Sequence, residues 1–206
     1  MDKYYVTRKS VTGSSHIRSG LPNQDAIGFF KSKHPMPLFE IICIADGHGS
    51  DKSFRSDVGS QFAVNAATEL LWKFAKEFYN KSETITKFSD VKAFFEDQFP
   101  RKLVIHWQNK VVNHLSDVPF SDKDSMIIEQ NPDYDNAVYK AYGTTLLGVL
   151  HIEGLLILVQ IGDGDILFLN EEKEVVRPFP KDERFIANET ASLSNPNAWN
   201  EFNSKV

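Results

Sequence analysis

The hydrophobic pattern changes period twice along the chain. Residues 4–12 mix aromatic and β-branched types (Tyr4, Tyr5, Val6, Val11, Thr12) and predict a strand. A polar stretch with Gly and Pro, Gly13 to Asn23, predicts a loop, and Asp25–Lys31 predicts a second strand. Pro35 and Pro37 predict a turn, since neither can donate to a ladder. Leu38–Ala45 is almost wholly apolar and too short for a buried helix, which predicts a strand buried on both faces.

The period then becomes helical. Phe54, Val58, Phe62, Ala66, Leu70, Phe74 and Phe78 recur every fourth residue and predict one long amphipathic helix over about 53–79. Ser89 is placed to N-cap a short helix over 90–99. Pro100 fits a first helical turn better than an interior, so a new helix starts there, carrying Leu103, Trp107, Val111 and Leu115. Residues 116–137 are acidic and irregular and read as a solvated excursion. The β signal returns from Tyr142 in three apolar runs, Gly143–His151, Leu155–Ile161 and Ile166–Leu169. Glu153-Gly154 and Gly162-Asp163-Gly164-Asp165 sit between these runs as hairpin turns would. Strands, then helices, then strands predict an α+β fold rather than alternating βαβ units.

Composition narrows the class. The 206 residues suit one domain, and 41% hydrophobic with 25% charged residues is ordinary for a packed chain. A lone cysteine, Cys43, excludes an internal disulfide framework and reads as a core residue. A net charge of -5 argues against a nucleic-acid partner. No apolar run approaches the ~20 residues of a membrane span, and the start lacks an apolar leader. The expectation is a cytoplasmic protein with no membrane partner.

Two places carry candidate chemistry. Asp46-Gly47-His48-Gly49 follows the most apolar strand directly, which fixes a carboxylate at the end of a rigid element. Gly162-Asp163 ends a second apolar run in the same way. If both runs are central strands whose ends converge, Asp46 and Asp163 reach one cleft. Carboxylates with backbone carbonyls make a hard oxygen environment, suited to Mg²⁺ or Mn²⁺ rather than zinc or copper. Each motif is also an ordinary Gly/Asp turn. Asn23-Gln24-Asp25-Ala26 and Gly143-Thr144-Thr145 are weak signals alone. His106 and His114 read as surface or partly packed groups and Trp107 as core.

In this order the four motifs resemble the metal-dependent serine/threonine protein phosphatases, the PPM or type-2C family, in particular its bacterial branch. Gln24 stands where Glu usually precedes the first Asp. The resemblance implies a four-layer α-β-β-α sandwich of two antiparallel sheets flanked by helix pairs. It implies hydrolysis of phosphoserine and phosphothreonine with two bridged Mn²⁺ or Mg²⁺ ions, and a third in some members. Asp46 would bridge the two ions and share the catalytic work with His48, the general acid. The Gly47 carbonyl would ligate one ion and Asp25 would hold its bound water. Gln24 and Thr144 would pack behind these ligands, and Asp163 would match the third-ion aspartate. The implied partner is a phosphoprotein substrate, a cognate serine/threonine kinase or its target.

The sequence departs from that pattern in three ways. The family's phosphate-binding Arg position is Gly20 here, so Arg18 and His16 become the candidate phosphate-binding groups. The usual Gly-Asp-Ser-Arg reads Gly162-Asp163-Gly164-Asp165. Two later family aspartates have no counterpart before Val206. The expectation is therefore a single PPM-type domain over 1–206, truncated at its C-terminus, with impaired turnover. The alternative is a catalytically inactive PPM-like module that binds a phosphoprotein or partner. A regulatory domain with structural metal only is a third reading.

Overall fold

A computed structural model describes residues 6–34, 36–80, 87–180 and 190–206. The elements in chain order are α1 (Ser14–Ser19), β1 (Asp25–Lys31), β2 (Phe39–Asp46), α2 (Ser56–Asn80), α3 (Phe88–Ala93), a π-helical turn (Phe94–Gln98) and α4 (Phe99–Asp117). There follow α5 (Asp122–Glu129), α6 (Tyr134–Lys140), β3 (Leu146–Ile152), β4 (Leu155–Ile161), β5 (Phe168–Leu169), β6 (Val175–Val176) and β7 (Asn203–Lys205). The class is α+β.

Five strands form one sheet in the order β1-β2-β3-β4-β7, every pair antiparallel. Because β2 and β4 both run against β3, their C-terminal ends leave the sheet on the same side, and Asp46 and Asp163 emerge there together. Strand alternation splits the sheet into two faces. Phe39, Ile41, Cys43, Ala45, Leu146, Leu150, Ile157, Val159 and Ile161 are buried beneath α2. α2 answers with Ala63, Ala66, Ala67, Leu71 and Phe74, and its small residues let it lie close. α4 forms the second helix of this layer, and Trp107 locks the two by donating its indole N–H to the Gly59 carbonyl at 3.0 Å. β5 and β6 make a separate two-stranded ribbon.

Several expectations change. Residues 6–12 form no regular element, and residues 4–5 of the expected first strand lie outside the described residues. The expected loop 13–23 contains α1, ended by Gly20 in the left-handed conformation (φ 70). β2 is buried on both faces only near its start: Ile44 is 42% exposed, since the face away from α2 has no helix over it there among the described residues. α4 starts at Phe99 with Pro100 in its first turn, as expected, but it follows the π turn directly, and α3 begins at Phe88. Ser89 does not cap; its hydroxyl bonds the Asp90 carboxylate. The acidic excursion contains α5 and α6, N-capped by Ser121 and Asp133, whose side chains accept from the Asp124 and Asn136 amides. Gly162–Asp165 is not a hairpin turn, because β4 is flanked by β3 and β7 while β5 pairs with β6.

Candidate active site

The antiparallel register sets Asp25 opposite Asp46 at the end of β1 and β2. Both lie on the face away from α2, one residue beyond the buried pair Ala26 and Ala45. Burial of Asp46, the charge and hydrogen bond of Asp25, and the charge of Asp163 together push the Asp46 pKa up from 3.8 to about 6, with His16 opposing. Asp163 is thus electrostatically part of the cluster, and its Oδ1 accepts from Thr190 Oγ1 at 3.3 Å.

The turn after Asp46 is held by the Gly143–Thr145 segment. The Asp46 carbonyl accepts from Thr145 N and Thr144 Oγ1, both at 2.9 Å, and Asp46 N donates to Thr145 Oγ1 at 3.1 Å. Gly47 and Thr144 form a one-residue bridge, with His48 N donating to the Gly143 carbonyl at 3.0 Å. The Gly47 carbonyl takes no part in those bonds and is left for another partner. A side chain at Gly47 would lie 2.7 Å from the carbonyl oxygens of both Gln24 and Ser56, so only glycine fits. Gly143–Thr145 is therefore a clamp on the Asp-Gly-His turn rather than the start of β3, as the β-pattern suggested. Thr144's own carbonyl is held from behind by Leu193 N at 3.0 Å and Ser192 Oγ at 3.2 Å.

His48 is partly buried with its ring against Gly143: a Cβ there would meet His48 Cδ2 at 2.6 Å. Burial lowers its pKa below 6.5, and the Asp163 carboxylate works the other way. Gln24 is buried, its carbonyl accepting from Gly47 N at 3.1 Å. Its side-chain Oε1 is buried with no hydrogen-bond partner among the described residues. Gln24 Oε1 and His16 Nε2 converge on Gly49, 3.6 and 3.7 Å from where a Cβ would stand.

α1 brings His16 to this cluster and leaves Arg18 out. Two residues on a helix differ by about 200° in direction, so both cannot face the same side. Arg18 is exposed and makes no hydrogen bond or ion pair with another described residue. Three contributors carried no strong sequence signal: Ser192, Thr190 and Gln160. Gln160 Nε2 donates to the carbonyls of Gly162 at 3.1 Å and Gly164 at 2.7 Å, which shapes the loop bearing Asp163. A glutamine inside the apolar run 155–161 was the one available clue.

The donor set is oxygen: two carboxylates on adjacent strands, the Gly47 carbonyl that the clamp does not use, and farther off Asp163, felt at Asp46 through its charge. That suits a hard divalent cation, and the desolvation and the repulsion from Asp25 and Asp163 that raise the Asp46 pKa are what such a cation would relieve. Among the described residues no three carboxylate, imidazole or thiol groups stand close enough together to enclose an ion. No described helix is long and apolar enough to cross a membrane.

The family model for Protein phosphatase 2C matches residues 12–206. The chain therefore belongs to the protein phosphatase 2C family, a phosphatase domain of the PPM type. No curated protein matches it.

Proposed function

We propose that the chain is a Mn²⁺- or Mg²⁺-dependent phosphoprotein phosphatase acting on phosphoserine and phosphothreonine. The observation that carries this reading is the register pairing of Asp25 with Asp46, beside a Gly47 carbonyl left open by the clamp. Asp46, Asp25 and the Gly47 carbonyl would hold two ions, with Asp163 available to a third. Such ions, when bound, lower the pKa of water and neutralise charge on the phosphoryl oxygens. Gln24 stands behind them, its unpartnered Oε1 free to accept a hydrogen bond from a water in the site. His16 presents its imidazole to incoming phosphate in place of the family arginine. His48 holds a proton on its ring and gives it to the departing seryl or threonyl oxygen. Burial lowers its pKa and makes it a stronger acid when protonated, with the Asp163 charge opposing that shift. The substrate is a cytoplasmic phosphoprotein, a serine/threonine kinase or that kinase's target.

Release of phosphate from a phosphothreonine peptide by the whole chain, with and without Mn²⁺, tests this. Mn²⁺-dependent release that Asp46→Asn abolishes is the expected result. A second reading, an inactive module that binds phosphoprotein, draws on the lack of three converging ligand groups among the described residues. It predicts phosphopeptide binding with no release.

A further inference from the structure

Tyr142 directly precedes the clamp on Asp46 and His48, and it is fully buried. Its hydroxyl accepts from Arg55 Nη1 at 2.8 Å and meets His114 Nδ1 at 2.9 Å. Since the guanidinium can only donate, the phenol proton points to His114 Nδ1, which leaves that ring neutral with its own proton on Nε2. Burial and the Arg55 charge both hold the His114 pKa down, against Asp117 and Asp57.

Arg55 ties this phenol to two other segments. Its guanidinium donates to the carbonyls of Val118 and Pro119, both at 2.7 Å, at the C-terminal end of α4. It also lies over the Phe120 ring at 4.5 Å, and its main-chain N donates to Ala141 O at 2.8 Å. The start of α2, the end of α4 and residues 141–142 are thus joined at one point. On the far side of that point stands Gly143, whose carbonyl bonds His48 N and whose Cα abuts the His48 ring.

We propose that Tyr142 is a positioning residue: its hydroxyl, clamped between Arg55 and His114, fixes Gly143 and through it the imidazole of His48. The reading of His48 as general acid underlies the catalytic consequence. The arrangement explains why the buried phenol is spent on a partly buried guanidinium here, where an apolar pair of the same shape would pack as well.

The test uses the whole chain carrying Tyr142→Phe, which keeps the ring, and in parallel Arg55→Lys, which keeps the charge. Imidazole NMR signals are read first, with His34 and His106 as controls. Both variants are expected to displace or broaden the His48 signal and leave the controls in place. An unmoved His48 signal in both variants overturns the proposal. In turnover, Tyr142→Phe is expected to lower kcat on a phosphothreonine peptide about tenfold, with KM within about twofold. Hydrolysis of nitrophenyl phosphate, whose leaving group needs no proton, should not change. Equal slowing of both substrates, or a lower Tm with unchanged turnover, also overturns it. If His48→Ala itself slows both substrates equally, the general-acid reading is what has failed, and the NMR result alone decides the positioning.

Discussion

Asp46 is the residue on which the site's electrostatics turn. Desolvation first, and then its negative neighbours Asp25 and Asp163, make it bind a proton more tightly folded than unfolded in the metal-free protein. The stability this contributes is fully present below pH 3.8 and lost as the pH rises through about 6. Asp46→Asn removes the penalty. The metal-free variant should therefore be more stable than the unsubstituted chain above neutrality, by about 1 kcal/mol after solvent screening of this half-buried group. The two should converge as the pH falls. Denaturant titrations across that range read the difference directly, and a gap independent of pH would contradict the cause given. At the same scale, His16→Ala should raise KM for a phosphopeptide several-fold while Arg18→Ala leaves it unchanged. Equal effects would mean that α1 does not select between them. The Asp-Gly-His-Gly motif was legible because it ends an apolar run. The choice of His16 over Arg18 was not, because it depends on a six-residue helix whose N-cap, Gly13, offers no side-chain bond.

Among the elements, the contact between α2 and residues 141–143 decides how firmly the clamp is held. A Cβ at Gly59 would sit 1.9 Å from the Tyr142 carbonyl oxygen, and backbone cannot yield there cheaply. Gly59 also supplies the carbonyl that binds Trp107. Gly59→Ala should destabilise the fold by about 3 kcal/mol, at the upper end for overpacking, as measured by chemical unfolding. A loss below 0.5 kcal/mol, on the scale of an ordinary surface substitution, would show that α2 can shift freely. α2 was legible from its four-residue period, and β2 and β4 as apolar runs too short for a buried helix. α5 and α6 were hidden by net charge, although Ser121 and Asp133 are ordinary N-cap types in plain view. The β-branched residues at 6–12 misled, because propensity without a neighbouring strand makes no ladder.

For the whole molecule, the order of elements revealed the α+β class, and the sheet topology then explains the site. β2 and β4 flank β3 antiparallel, so two distant acidic motifs leave the sheet at one end. What the sequence hid is the closing strand. β7 (Asn203–Lys205) has no apolar residue to announce it and joins β4 through register pairs such as Gln160 with Asn203. Family membership accounts for the phosphatase class, while the claim particular to this chain is that the Asp25–Asp46 pair seats the cation. Calorimetric titration of Mn²⁺ into the whole chain, beside Asp46→Asn, tests that most directly. The account predicts measurable binding that weakens at least about tenfold in the variant, because one carboxylate facing two ions is neutralised. Equal Mn²⁺ affinity in the two proteins would contradict it.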